Sequence, residues 1–339
     1  MKKTLLYVLL LLILIGGLYL LLGKEKGGFS KKESNFTVKD TADIGKIFLA
    51  GMAGDTILLE RNGTAWTLNK NYRALTPLVN TLLVTLRTQV GVHPVPEKAH
   101  NSVVKALSGT AVKVQVYNRK NELVREFYVG GETKDFDGSY MLMSGAERPF
   151  VVEIPGFAGY LTTRYSTDLL DWRDRSIFLL RREDISRVSL QYPAEPLNSF
   201  VVNQDANGNI TVEADPALSS GKELNKRRVE LFLTFFEKIY SEGYITEGSE
   251  IRQVLDTIPK RAIIDITTKD GKTNHLDIYW RPVFRRSKNL IRKAEGIPEQ
   301  FDSDRGYGVL NNFKDTVVVQ YQVFDRIFRN AWEFYEEDK

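Results

Sequence analysis

The chain has 339 residues, a net charge of +4, three histidines and no cysteine. At roughly 100–200 residues per domain, this length allows two globular units beside a tether, and 42% apolar with 27% charged residues excludes a disordered chain. The small net charge gives no ground for nucleic-acid binding, and the missing cysteines exclude a disulfide framework and a lipid-attachment thiol.

Thr4 through Leu22 carry no charge, about the number of apolar residues that crosses a bilayer as a helix. Lys2 and Lys3 precede the run, and it ends in Leu-Leu-Leu-Gly-Lys-Glu-Lys without an A-x-A-like cleavage site. Residues 1–23 are therefore predicted to be an uncleaved signal anchor, with Tyr7 and Tyr19 near its two interfaces. Lys24, Lys26, Lys31 and Lys32 follow the span, so the positive-inside rule alone does not orient it. A long folded part after an N-terminal span usually translocates. The expected location is the cytoplasmic (inner) membrane, single-pass, with the globular part in the periplasm. Residues 24–42 are polar and read as a tether.

A first unit is expected over 43–182. Lys46–Ala50, Thr56–Arg61 and Ala65–Leu68, separated by Gly-Asp and Asn-Gly signals, predict a three-strand meander. Thr76-Pro77 opens a helix with Thr76 as its cap and Leu78, Leu82, Leu83, Leu86 and Val90 as its apolar face. A second helix is expected at 97–107. Strands follow at Val112–Val116, Leu123–Val129, Tyr140–Met143 and Phe150–Ile154, and a helical stretch through Trp172 closes the unit.

The second unit, 183–339, repeats this order. Strands are expected at Ser186–Leu190, Phe200–Asn203, Ile210–Glu213, Ala262–Thr268, Leu276–Tyr279, Val309–Leu310 and Thr316–Gln320. A helix spans 223–240, and a last one carries Val323, Phe324, Ile327, Phe328, Ala331, Trp332 and Tyr335. The copies align in detail. Asp135, Asp137, Tyr140, Val151, Val152 and Phe157 recur without a gap as Asp302, Asp304, Tyr307, Val318, Val319 and Phe324, and Asp43-Ile44 recurs as Asp184-Ile185. The fold class expected is α+β: two tandem related units of antiparallel strands plus helices, after one N-terminal transmembrane helix.

Phe36 through Ile44, Leu58-Leu59-Glu60-Arg61, Pro149-Phe150-Val151-Val152 before Pro155-Gly156-Phe157, and Trp172-Arg173-Asp174-Arg175 together resemble domain-of-unknown-function family 4340, in the membrane-anchored version associated with Bacteroidetes-type bacteria. The resemblance covers about 36–180 well and the second copy more loosely. Members are often encoded beside gliding-type ABC transporter components, so the resemblance implies an envelope or transport-accessory role. It supplies no catalytic residues.

No nucleophile elbow or phosphate-cradling glycine loop is present, and His93, His100 and His275 lack zinc-ligand spacing. No catalytic residue, metal ligand or cofactor is assigned. Asp135-x-Asp137-Gly138, Asp302-x-Asp304 and Asp205-x-Asn207-Gly208 resemble the start of a calcium loop but lack its bidentate glutamate. They read first as turns closed by side-chain hydrogen bonds. Two clusters are candidates for contact. Arg281, Arg285, Arg286, Lys288, Arg292 and Lys293 form a basic insertion in the second copy, suited to an acidic partner or lipid headgroups. Arg281 and Arg285 follow Tyr279-Trp280, an aromatic–basic set that could stack on a ligand. Tyr160, Arg164, Tyr165, Trp172 and Arg173 crowd the end of the first unit and are the candidates for a groove between the repeats. The expected function is a non-catalytic, membrane-anchored envelope accessory or scaffold that binds a protein partner and no nucleic acid. The alternative is an exported pair of domains binding a glycan or peptide.

Overall fold

The computed structural model describes residues 33–246, 249–283, 298, 300–310 and 315–336. The expected anchor at 4–22 lies outside these residues. No helix among the described residues is long and apolar enough to cross a membrane. Two compact units divide between Asp174 and Arg175, earlier than the expected boundary at 182/183.

The first unit is built on strands β1 (Ile44–Gly51), β2 (Thr56–Asn62), β3 (Ala65–Leu68), β4 (Tyr72–Arg73), β5 (Val90–Pro94), β6 (Val112–Asn118), β7 (Leu123–Glu132), β8 (Ser139–Met143) and β9 (Phe150–Glu153). They form one sheet in the order β4-β3-β2-β1-β6-β7-β8-β9-β5. Alternation decides the packing, because successive side chains of a strand point to opposite faces. Phe127, Val129 and Met141 join the core under helix α1 (Thr76–Thr88). Tyr128, Tyr140 and Leu142 face helix α2 (Glu97–Thr110) through Val103 and Leu107. The start of α1 differs from the expectation: Thr76 is the first helical residue, and Leu75 holds the cap position without a side-chain bond. The helix also stops before Val90, which begins a strand paired with β9. Phe36 and Val38 are buried in the core, so the end of the segment expected as tether belongs to the first unit.

In the second unit the strands are β10 (Ser176–Phe178), β11 (Ile185–Gln191), β12 (Phe200–Gln204), β13 (Ile210–Ala214), β14 (Ile239–Tyr240), β15 (Gly243–Tyr244), β16 (Lys260–Thr268), β17 (Thr273–Pro282), β18 (Phe301–Leu310) and β19 (Asp315–Gln320). The large sheet has the order β13-β12-β11-β16-β17-β18-β19-β15. Leaving out the two-residue β4, this is the order of the first unit. The ladders agree as well. Ile47 pairs with Val116 as Val188 pairs with Ile266, and Tyr140 pairs with Val151 as Tyr307 pairs with Val318. Even the register shift after the first residue of β1 recurs in β11. Each unit also begins with a segment bonded to the end of its main helical stretch: Val38 N–H donates to Leu86 O and Leu180 N–H to Phe236 O.

Helix α3 (Lys226–Thr234) is shorter than the expected 223–240. The Asn225 side chain accepts from Arg228 N–H and starts it, and Ile239 is buried as part of β14, paired with β10. Apolar residues within a short run satisfy either a helix or a buried strand, so periodicity alone could not separate them. The predicted final helix is broken into one turn at Tyr321–Phe324 and a 3₁₀ stretch at Ala331–Tyr335. Asn330 forms a capping box with Glu333 there and begins a new turn. Phe200, Phe232, Phe236 and Phe334 meet edge to face in this core.

Candidate functional site

Four adjacent strands of the second unit, β16 to β19, share one end. β16 begins, β17 ends, β18 begins and β19 ends at one edge of the sheet, and a cleft of about 810 Å³ opens there. Two irregularities shape it. Lys260 pairs with Tyr279 while Ala262 pairs with Ile278, so Arg261 is the extra residue of a β-bulge. Trp280 pairs with Gly306 but Pro282 with Phe301, so the stretch between Phe301 and Gly306 bows out of the ladder and presents Ser303, Asp304 and Arg305 to the cleft. Bulges of this kind re-aim side chains and end pairing beside sites.

Arg261 is the centre of the cleft. Its guanidinium carbon lies 3.9 Å from the Tyr321 ring centroid, 4.2 Å from that of Phe328 and 4.8 Å from that of Trp280. Trp280 is itself stacked on Phe301 at 5.4 Å and meets Tyr321 edge to face at 6.1 Å. Burial pushes the Tyr321 phenol up to about 12. Arg261 Nη1 and Tyr321 Oη are both buried without a hydrogen-bond partner. Gly306 makes the arrangement possible: a Cβ there would stand 2.8 Å from Tyr279 O and from Tyr321 Oη. The other cleft arginine, Arg305, is committed to Glu242 at 2.6 Å.

Among the described residues the first unit has no copy of this arrangement. Ala262↔Ile278 corresponds to Val112↔Val129, which puts Ala111 where the second unit has Arg261. Counting on from Val151 and Val318, Ile154 stands for Tyr321 and Leu161 for Phe328.

Sequence reasoning reached one wall of the cleft. Trp280 lines it, but the guanidinium that stacks on Trp280 belongs to Arg261. Arg281 sits 3.8 Å from Asp302 Oδ2 and 5.8 Å from the Tyr307 ring centroid. Arg285, Arg286, Lys288, Arg292 and Lys293 lie outside the described residues. The missed signal was Lys260-Arg261 after Pro259, a charged pair at the mouth of a strand that then alternates Ala262, Ile264, Ile266 into the core.

Of the residues expected to line a groove, Tyr160, Arg164, Tyr165, Trp172 and Arg173, two are corrected. Tyr165 and Trp172 are 0% exposed and belong to the first unit's own core. The Tyr165 hydroxyl donates to Gln89 Oε1 and Trp172 Nε1–H to Ser166 O, so neither side chain is free to line a groove. Arg164 lies over Phe157 at 4.7 Å, Arg173 over Tyr72 at 4.4 Å, and Tyr160 beside Phe136 at 6.3 Å. The Asp-x-Asp segments spend their carboxylates on local bonds. Asp135 accepts from the Thr133 hydroxyl, and Asp205 from Asn207 and Asn209 N–H groups. Asp302, within β18 rather than a loop, accepts from Asp304 and Arg305 N–H groups. Among the described residues no group of three His, Asp or Glu has the geometry to hold a metal.

A second polar cluster crosses β16 and β17. His275 Nδ1 lies 2.6 Å from Asp265 Oδ1, its Nε2 lies 3.4 Å from Asp277 Oδ1, and Lys260 Nζ lies 2.9 Å from Asp277 Oδ2. Burial works against the imidazolium, but the hydrogen bond to Asp265 and the charge of Asp277 outweigh it and hold the His275 pKa above its ordinary value. A histidine raised on folding stabilises the fold fully below the unfolded value, about 6.5, and loses that contribution as pH rises through the folded value. Urea midpoints of the native chain should fall as pH increases from about 6.5 upward. In His275→Asn that part of the decline should vanish, and an unchanged profile would show that this ladder does not act on stability.

Residues 98–256 match the model of a family described as a domain of unknown function (DUF4340). The matched stretch runs from α2 across the division at Asp174 into the second unit as far as the segment before β16. No curated protein and no solved structure matches the chain. Of the cleft, the DUF4340 stretch includes Tyr192, Ala194 and Glu195 alone, while Arg261, Trp280 and Tyr321 come after it.

Proposed function

We propose that this protein is a non-catalytic, membrane-anchored envelope accessory of the DUF4340 type, from a Bacteroidetes-type bacterium. The anchor at residues 4–22 holds it in the cytoplasmic membrane with its two units exported, and the second unit binds a protein partner of a transport- or gliding-related complex. The observation that carries the reading is the difference between two copies of one fold. Their sheets share strand order and register, yet among the described residues the second has an arginine, Arg261, set among Tyr321, Phe328 and Trp280 where the first has Ala111. A passive spacer needs no such asymmetry, and a partner-binding surface does. Aromatic rings with a partly desolvated arginine are the groups that dominate binding energy at protein contacts. The alternative, a ligand-binding pair taking a glycan or peptide, would use the same cleft and differs in what fills it.

Cross-linking the full-length protein in native membranes should recover a defined partner. The partner should be lost with a tether-only control and reduced by Arg261→Met. Recovery of nothing beyond the control would remove the scaffold reading and leave the ligand-binding one.

A further inference from the structure

We infer that the cleft at the end of β16–β19 receives the free C-terminal carboxylate of a peptide chain, with Arg261 as its anchor. The inference rests on the binding role proposed above and names the chemistry of what is bound. Three rings surround the Arg261 guanidinium, so what it has left to offer a ligand is its edge of N–H donors, and Nη1 is without a partner. A planar fork of donors matches a carboxylate through two parallel bonds. Tyr321 is 3% exposed, and its hydroxyl sits beside the Arg261 guanidinium with no partner at full hydrogen-bond geometry. A buried guanidinium N–H left without a well-formed bond carries a cost that an acceptor arriving there would lower.

The surroundings select among acceptors. Glu195, Asp304 and Asp325 line the same cleft and are exposed, so the rim is acidic while the centre is cationic. A phosphate dianion meets net repulsion on the way in, and a single carboxylate meets less. Gln320, Gln322 and Asn330 add side-chain amides to the wall, which both donate and accept, as a peptide backbone requires. The volume, about 810 Å³, is within the range that encloses a ligand of several residues' bulk. Capture of a chain terminus at such a point is a recurring mode of peptide recognition.

The test uses the full chain in detergent micelles. A tripeptide library with free C-termini is compared with the same library amidated, and inorganic phosphate is a third arm. Thermal stability and the guanidinium resonance of Arg261 are read in each. The free-acid library should raise the melting temperature and move the Arg261 signal, and the amidated library and phosphate should do neither. Arg261→Lys keeps the charge without the fork and should weaken the response at least tenfold. Tyr321→Phe removes only the hydroxyl and should weaken it severalfold in a fully folded protein. An equal response to both libraries, a stronger one to phosphate, no response at millimolar peptide, or a response undiminished in Arg261→Lys would each overturn the inference. If the peptides fail while Arg261→Met still loses the cross-linked partner, the terminus is wrong and the binding role stands. If the cross-link survives Arg261→Met, the cleft is not the contact.

Discussion

Replacing Gln89 with leucine should lower the stability of the first unit by about 3 kcal/mol, one of the two largest effects expected from a single polar change in this protein. Gln89 is 0% exposed and ends α1 at the point where three segments meet. Its Nε2–H donates to Phe36 O at 2.9 Å, its Oε1 accepts from the Tyr165 hydroxyl at 2.5 Å, and its backbone carbonyl accepts from the Thr37 hydroxyl at 2.8 Å. Leucine keeps the volume and removes both side-chain bonds. The Phe36 carbonyl and the Tyr165 hydroxyl then stay buried without partners, at about 1–3 kcal/mol each. Tyr165 has no alternative state to adopt, since burial raises its phenol far above the ordinary range and keeps it a neutral donor. Tyr165→Phe alone should cost about 1–2 kcal/mol by leaving Gln89 Oε1 unmet. The double variant should be less destabilised than the two costs added, because neither Gln89 Oε1 nor the Tyr165 hydroxyl remains to be orphaned and the Phe36 carbonyl alone stays unmet. Urea unfolding of the four proteins closes this cycle. Strict additivity would mean that Gln89 and Tyr165 act separately and that the junction is not one network.

The repeat was legible because its signals are local. Asp-Ile at the start of each copy, the Tyr140/Tyr307 and Val151/Val318 positions and the hairpin turns fix strand pairing through neighbours in sequence, and the ladders keep those registers. What was not legible depends on residues far apart. Arg261 reads as a surface cation until Tyr321 and Phe328, some sixty residues later, are folded over it. Tyr165 and Trp172 fail in the opposite sense. Arginines and aromatics in a cluster look like a surface, but the aromatic members turn inward when a backbone carbonyl or a glutamine is placed to meet their polar ends. The short strands β10, β14 and β15 have two or three residues each, too few for any period to register.

Lys260→Met should destabilise the second unit by about 2–3 kcal/mol, although the unbranched methionine side chain replaces much of the lysine stem. The cost comes from the group left behind. Asp277 is 2% exposed, lies opposite Val309 and Ile263 in the ladder, and shares its side of β17 with Tyr279. Its Oδ2 is met by Lys260 at 2.9 Å, while Oδ1 has no hydrogen bond and only His275 at 3.4 Å. Removing one partner of a buried pair strands the other charge, which costs about 3–5 kcal/mol when the pair is fully enclosed. Lys260 is 33% exposed, so solvent screening reduces the figure here. Deleting both charges gives a different result. Lys260→Met with Asp277→Leu leaves no orphan and adds apolar surface beside Tyr279, so it should recover to within about 1 kcal/mol of the native protein. If the double variant is instead as unstable as Lys260→Met, the loss lies in the lysine stem and its contact with the Tyr279 ring, 5.6 Å from Nζ, and not in the stranded carboxylate. Because Lys260 is the residue before Arg261 in the bulge, the outcome also bears on the cleft. A stability loss with the peptide response intact would show that the Lys260–Asp277 pair holds the sheet while Arg261 alone holds the ligand.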